Sequence, residues 1–170
     1  MPTPSIELLA LDVDGVLTDG SIYLDADGRE IKRFNAADGV ALRTWQRLGL
    51  RSAIITGRTS DAVLHRAADL GITTVIQGAK DKSASLDDLL RRTGVPADRI
   101  AYIGDDWPDL PVLRRVGYPI AVANAAPHVK ALARHITTRR GGDGAVREAI
   151  EHLLESLRLL DKAVALHDRQ

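Results

Sequence analysis

Four short motifs in this 170-residue chain carry side chains suited to phosphoryl transfer. They are Asp12-Val13-Asp14-Gly15, Thr56-Gly57-Arg58, Lys82, and Gly104-Asp105-Asp106 with Asp109. Each motif follows, or lies just beyond, a short apolar run of the kind that forms a buried strand. Together, these residue types suit magnesium-dependent phosphoryl transfer with an aspartate as nucleophile. The set indicates one reaction, whereas each motif alone matches many sequences by chance.

The Asp-x-Asp pair places two carboxylates at the exit of the first predicted strand. The first, Asp12, can attack phosphorus and form an aspartyl-phosphate. The second, Asp14, can protonate the leaving oxygen and later take a proton from the attacking water. Gly15 allows the sharp turn that must follow. Taken alone, the motif is equally compatible with a solvated turn.

The other motifs supply groups that bind phosphate and metal. Thr56 offers a hydroxyl and a backbone amide to a phosphate oxygen, and Lys82 can neutralise charge on the nucleophile and the phosphoryl group. Asp105 follows another strand, and carboxylates from two strand ends can hold Mg²⁺. An acidic cluster without a cation would repel the phosphate, so the pattern predicts this cofactor. Asp106 and Asp109 could ligate the ion or orient its waters, and Asp109 could equally be only a helix N-terminal residue.

Composition narrows the functional class further. The chain is 45% apolar and 27% charged, which is typical of a globular protein. Its 23 basic and 23 acidic residues cancel, so we expect neither nucleic acid nor membrane as a partner. The absence of cysteine excludes disulfides and thiol catalysis. The N-terminal apolar run is too short for a signal or membrane segment, and a cytoplasmic protein is therefore expected.

Strand and helix patterns alternate about every 25 residues, which predicts an α/β fold with a doubly wound, mostly parallel sheet. One domain should span residues 1–170, with a tail from about 157 to 170 that frays. The predicted strands are 6–13, 52–55, 73–76, 100–103 and 119–122. The predicted helices are 38–48, 60–70, 83–92, 109–116, one from 127, and 145–160. Ligands should then bind beyond the carboxyl ends of the strands.

A β-hairpin flap is predicted at about residues 19–35, where the runs 21–24 and 30–34 flank a turn-rich segment. About 44 positions separate the first motif from the second, and 26 separate the second from the third. These intervals leave no room for an inserted cap domain. Because the chemistry requires controlled water and a hairpin has edges that can pair between chains, we expect an oligomer rather than an open monomer.

The chain resembles the haloacid dehalogenase superfamily of phosphohydrolases over about its whole length. Within that superfamily it is most similar to the 3-deoxy-D-manno-octulosonate 8-phosphate phosphatases of lipopolysaccharide synthesis. The subfamily likeness depends mainly on the segment around Phe34 and on the stretch 141–148. Ala36-Ala37 and Trp107-Pro108 depart from the usual family pattern. The residues that carry the resemblance are Leu11 to Gly20, Lys32, Phe34, Asn35, Asp38-Gly39, Ile54 to Arg58, Gln77-Gly78, Asp81-Lys82, Tyr102 to Asp106, and Gly141 to Glu148.

The resemblance implies Mg²⁺-dependent hydrolysis of a 2-keto-3-deoxy sugar acid phosphate and assigns roles to the motifs. Asp12 would be the nucleophile and a metal ligand. Asp14 would be the acid/base and would ligate the metal through its backbone carbonyl. Asp105 would be a further side-chain ligand, and Thr56 and Lys82 would hold the phosphoryl group.

The resemblance also implies how the substrate and neighbouring subunits are recognised. Arg58, next to Gly57, would meet an anionic group of the substrate, since a carboxylate suits the guanidinium fork. A homotetramer is implied in which the hairpins form a shared barrel. The segment Arg139–Arg147, with Arg140 and Arg147 as substrate contacts, would reach a neighbour's active site. A truncation before this segment should leave the fold intact.

Three other functions compete with this interpretation. A receiver-type phosphoacceptor domain would carry its acceptor aspartate after the third strand, where this chain has Gln77. A catalytically silent interaction module would not need all the candidate catalytic residues, which are present. A phosphatase of nine-carbon keto sugar acid 9-phosphates would share the phosphate and carboxylate contacts, and the sequence leaves this alternative open.

Overall fold

The computed structural model describes residues 5–168 of the chain. Its main sheet consists of β1 (Leu8–Leu11), β4 (Arg51–Ile55), β5 (Thr74–Ile76), β6 (Ile100–Gly104), β7 (Tyr118–Ala121) and β8 (His135–Ile136). These six strands lie in the order β5-β4-β1-β6-β7-β8, and every neighbouring pair is parallel. The predicted α/β fold with a mostly parallel sheet is therefore confirmed.

The helices pack in two groups. The first group contains α1 (Ala36–Arg47), α2 (Asp61–Leu70), α6 (Ala145–Ser156) and α7 (Leu160–Ala165). The second contains α3 (Lys82–Thr93), α4 (Leu110–Leu113) and α5 (Pro127–Leu132). Two such layers are what right-handed crossovers produce when a sheet is extended on both sides of its first strand. In the part of the chain described, no helix is both long and apolar enough to cross a bilayer.

The central strands bring the sequence motifs to one edge of the sheet. β1 and β6 are buried along their whole length, as expected for apolar runs covered on both faces. Leu11, the last residue of β1, is in register with Ile54 and Ile103. The backbone N–H of Asp12 extends this register by donating to the Ile103 carbonyl at 3.1 Å. The chain segments that follow β1, β4 and β6 consequently emerge side by side.

The hairpin forms as predicted, but its strands are shorter than the sequence suggests. β2 is Tyr23–Leu24 and β3 is Glu30–Ile31, paired antiparallel. Pairing ends early because Asn35 begins α1: its side chain accepts a hydrogen bond from the Ala37 amide at 2.8 Å. For the same reason α1 begins two residues before the predicted start.

The C-terminal helix differs from the prediction. The helix expected over 145–160 ends at Ser156, and Arg158 adopts a left-handed backbone with φ 58° before α7 begins. α6 packs against α1 and buries six of its twelve residues. The prediction that a truncation before Arg139 spares the fold is therefore wrong, because it would remove this part of the core. The end of the predicted tail, residues 169–170, lies outside the described residues.

Candidate active site

The carboxyl edge of the sheet carries a cleft of about 280 Å³. The structure thus brings together the side chains of all four sequence motifs. Arg140 and Arg147 are not among the residues that line this cleft. The lining residues are Asp12, Asp14, Gly20, Thr56, Gly57, Arg58, Lys82, Asp105, Asp106 and Pro108.

Asp12 is held rigidly at the buried end of the cleft. Its Oδ1 accepts the Val13 amide at 2.7 Å, and its Oδ2 lies 2.8 Å from Lys82 Nζ. Burial, and then repulsion from Asp109, raise the pKa of Asp12 to about 6. Burial alone would lower the pKa of Lys82, but Asp12 and Asp109 raise it above its ordinary value. Lys82 is therefore a fixed positive charge beside the carboxylate.

Asp109 is completely buried and anchors the loop after β6. Its Oδ1 accepts hydrogen bonds from Lys82 Nζ and from the Tyr102 hydroxyl, both at 2.6 Å. Its Oδ2 accepts the backbone amides of Asp105 at 2.9 Å and Asp106 at 3.3 Å. Both oxygens are thus occupied by donors of the protein. Of the roles that the sequence left open for Asp109, this geometry favours a structural one over direct metal ligation.

Asp105 has the donor atoms that a cation needs. Its Oδ1 is buried and has no hydrogen-bond partner among the described residues. Burial, followed by repulsion from Asp109 and Asp12, raises the pKa of Asp105 to about 8. One carboxylate oxygen from each of Asp12, Asp105 and Asp109 lies within 4.8 Å of the others. Because both Asp109 oxygens already accept protein donors, Asp12 and Asp105 are the side chains of this set that fit a hard divalent cation such as Mg²⁺.

Gly15 makes the close approach of Asp105 possible. Its backbone is left-handed, with φ +88°, and an added Cβ would overlap the Asp105 carboxylate. The residue is thus required by the space around the acidic cluster as well as by the turn that the sequence predicts.

The carboxylate of Asp14 lies on the side of the cleft that faces the hairpin. It pairs with Lys32 Nζ, which is also 2.7 Å from Glu30 Oε1. The same Glu30 oxygen lies 3.3 Å from an Arg58 guanidinium nitrogen. Sequence reasoning used Lys32 only as a mark of family resemblance and gave no role to Glu30. Opposite charges two positions apart on a strand could have signalled the Glu30–Lys32 pair, but not its contact with Asp14.

Thr56 lines the cleft, but its backbone amide, which was expected to bind phosphate, already donates a hydrogen bond within the sheet. Its backbone N–H donates to the Ile76 carbonyl at 2.9 Å, because pairing between the two strands continues one residue beyond β4. The prediction that this amide meets a phosphate oxygen is therefore wrong. The Thr56 hydroxyl, Gly57 and Arg58 remain as the groups of this motif that line the cleft.

The glycine-rich segment before α6 packs against the loop that follows β1. The Gly142 amide donates to the Val16 carbonyl at 3.0 Å. A Cβ on Gly141 would overlap the Gly15 carbonyl, so the two backbones touch. This segment therefore supports the nucleophile loop of its own chain.

The two arginines predicted to serve a neighbouring site do not line the cleft of their own chain. Arg140 is exposed. The Arg147 side chain is exposed as well, and its Nε lies 2.8 Å from Glu151 on the next turn of α6. Their contact with another subunit stays a prediction.

Comparison with known proteins places the chain in a family. The family model described as haloacid dehalogenase-like hydrolase matches residues 72–150. The 3-deoxy-D-manno-octulosonate 8-phosphate phosphatase KdsC of Escherichia coli K12 is 44% identical over 94% of this chain and 85% of its own length.

Two solved structures agree with this relationship. The phosphatase of the same name from Moraxella catarrhalis, in complex with magnesium ion, phosphate ion and KDO, is 42% identical. It superimposes with a TM-score of 0.93 over 96% of this chain and 94% of its own. The cobalt-bound enzyme from Haemophilus influenzae is 37% identical, with a TM-score of 0.90 over 94% of each chain. The resemblance drawn from the motifs is thereby confirmed, and the chain belongs to the 3-deoxy-D-manno-octulosonate 8-phosphate phosphatase family of haloacid dehalogenase-like hydrolases.

Proposed function

We propose that the protein is a magnesium-dependent phosphatase that converts 3-deoxy-D-manno-octulosonate 8-phosphate to the free sugar acid and inorganic phosphate. The geometry of Asp12 carries this proposal. Its carboxylate lines the cleft, 2.8 Å from the ammonium of Lys82 and close to the Asp105 carboxylate, one oxygen of which has no partner among the described residues. The named relatives act on the eight-carbon sugar acid, which favours this substrate over a nine-carbon one.

The proposed reaction transfers the phosphoryl group in two steps, first to Asp12 and then to water. In the first, an oxygen of Asp12 forms a bond to phosphorus while the bond from phosphorus to the sugar oxygen breaks, and Asp14 gives its proton to that oxygen. In the second, Asp14 takes a proton from water, the water oxygen bonds to phosphorus, and the Asp12–phosphorus bond breaks. The products are inorganic phosphate and the original carboxylate of Asp12.

The remaining cleft residues stabilise charge and position the phosphoryl group. Lys82 is buried and charged, so it can balance the negative charge on Asp12 and on the transferred group. Thr56 offers its hydroxyl to a phosphate oxygen. Mg²⁺, held by the side chains of Asp12 and Asp105 and the carbonyl of Asp14, supplies further positive charge to the phosphoryl oxygens when it is bound.

Substrate recognition is proposed to involve both this chain and its neighbours. Arg58 is half exposed at the rim of the cleft, where its guanidinium can meet the sugar carboxylate. The hairpin exposes Ile22, Leu24 and Ile31, each more than half accessible, and such apolar surface supports assembly through the hairpins. We propose a cytoplasmic homotetramer in which Arg140 and Arg147 contribute to an adjacent site.

The test is phosphate release from the eight-carbon substrate with Mg²⁺ and with EDTA. Asp12→Asn should reduce the rate by about 10³-fold or more, because it removes the nucleophile. The matched control is Asp98→Asn, at an exposed turn, which should behave as wild type. Wild-type rates in Asp12→Asn would refute the nucleophile, and a preference for a nine-carbon 9-phosphate would refute the substrate.

A further inference from the structure

Lys32 is a buried cation in a segment that is otherwise exposed. Its side chain is 3% exposed, whereas its hairpin neighbours Ile31 and Leu24 are 55% and 61% exposed. Lysine is rarely buried unless its charge is paired. The packing of the hairpin itself does not enclose Lys32. The side chain, one residue beyond β3, is enclosed where it lies between Glu30 and Asp14, which lines the active-site cleft.

Asp14 depends on this contact for its orientation. Among the residues that the structure describes, Lys32 is the one hydrogen-bonding or ionic partner of the Asp14 carboxylate. Asp12, two positions earlier, has both a backbone amide and Lys82 to hold it. A carboxylate that must give its proton to a particular oxygen has to be held in one orientation. Here a single ammonium group can do this.

We propose, on the basis of the function proposed above, that Lys32 is the positioning residue for the acid/base Asp14. Lysine suits the task because its ammonium carries three N–H donors on a compact centre. One of them holds Asp14 and a second holds Glu30. The hairpin is thereby a working part of the active site as well as a surface for assembly.

Glu30 extends this positioning to the substrate side of the cleft. Its Oε1 accepts Lys32 at 2.7 Å and lies 3.3 Å from Arg58, so two cations share one oxygen. The Glu30 side chain is only 17% exposed, which keeps water from replacing it easily. The conformation of β3 thus determines the positions of both the acid/base Asp14 and the rim residue Arg58.

The test compares two kinds of phosphate ester. An alkyl phosphate that lacks a carboxylate, such as glycerol 3-phosphate, needs a proton on its leaving oxygen, whereas p-nitrophenyl phosphate releases a stable anion. Neither ester carries the carboxylate that Arg58 is proposed to bind, so the comparison isolates the role of the acid. Because kcat/KM reports the phosphoryl-transfer step, misplacing the acid should affect the two esters unequally. Lys32→Met should lower kcat/KM by about 10²-fold for the alkyl ester and at least about tenfold less for the nitrophenyl ester.

Two further variants separate positioning from folding. Lys32→Arg keeps the charge but changes its place, and it should show the same inequality to a smaller degree. Arg29→Met changes an exposed cation on the same hairpin, 78% accessible, and should leave both kcat/KM values as in wild type. Thermal unfolding of each variant checks that the fold persists.

The outcomes are distinguishable. An equal loss for both esters in Lys32→Met and Lys32→Arg would overturn the positioning role and leave Lys32 as a structural residue. Wild-type protein without Mg²⁺-dependent phosphate release would instead refute the proposed function, and this inference with it. An unequal loss in the expected direction supports both.

Discussion

Replacement of Asp109 by asparagine should destabilise the protein far more than the exchange of one atom suggests. Each of the two Asp109 carboxylate oxygens accepts two hydrogen bonds, and the residue is fully buried. Asparagine has one acceptor oxygen and one NH₂ group. Whichever way the amide turns, its NH₂ group faces two donors.

The two orientations have different consequences of similar size. With NH₂ toward the loop, the backbone amides of Asp105 and Asp106 lose their acceptor. With NH₂ toward the strand, Tyr102 can accept in place of donating, but the Lys82 ammonium loses one of its two carboxylates. An unpaired buried donor costs about 1–3 kcal/mol, and a bond to a charged group is worth about 1.5–3 kcal/mol. We therefore expect Asp109→Asn to lower the free energy of unfolding by about 2–4 kcal/mol.

Urea unfolding in EDTA is the decisive assay, because it measures the protein without a bound cation. Tyr102→Phe is the matched comparison: it removes one donor to the same oxygen and should cost about 1 kcal/mol. If Asp109 served mainly as a metal ligand, Asp109→Asn would unfold like wild type in EDTA and differ from it with Mg²⁺. A loss in EDTA below about 0.5 kcal/mol would refute the structural role.

Two further predictions concern space and charge. Gly15→Ala should lower the rate of Mg²⁺-dependent phosphate release about 10²-fold, since the new methyl group would overlap Asp105. The control Gly28→Ala, at φ +77° in open space, should cost only about 1–2 kcal/mol in stability. Equal losses of activity in the two variants would contradict the steric argument. Burial raises the pKa of Asp38 from 3.8 to about 6 in the folded protein. Protonation of Asp38 therefore contributes fully to the free energy of unfolding below the unfolded pKa of 3.8, and this contribution is lost as the pH rises through about 6. The asparagine in Asp38→Asn can still accept the Arg147 amide but does not titrate. In urea unfolding, the free energy of unfolding of this variant minus that of wild type should therefore rise by about 3 kcal/mol from about pH 4 to pH 8. A difference independent of pH would contradict this.

The parts of the site that could be predicted are those fixed by strand ends. The run before Asp12 is apolar throughout, so it had to be a buried strand, and parallel strands end at a common edge. Asp105 and Thr56 follow from the same reasoning. Their convergence depends on the order of the motifs along the chain, which a sequence displays directly.

The contacts that escaped prediction depend on loops folding back in three dimensions. Lys32 meets Asp14 across 18 positions because the hairpin bends over the sheet edge, and no periodicity encodes that bend. The acceptor role of Asp109 needs the short 3-10 turn Trp107–Asp109, which brings its carboxylate under the amides that precede it. The break at Arg158 lies within a continuous helical pattern of apolar residues. It escaped prediction because a left-handed residue leaves little trace in hydrophobic spacing.

The two carboxylates of the first motif are held in unequal ways, and the inequality suits their roles. Asp12 lies on a loop held by β6 on one side and by the Gly141-Gly142 backbone on the other. The helix α6 that follows this backbone is tied to α1, because the Arg147 amide donates to Asp38 at 2.8 Å. A nucleophile that must attack in line with the leaving oxygen requires such rigidity. Asp14 is held by a lysine from the hairpin, whose apolar residues Ile22, Leu24 and Ile31 are exposed. In the homotetramer proposed above, assembly through the hairpins would therefore act on the acid/base, while the nucleophile is fixed by the core of its own chain.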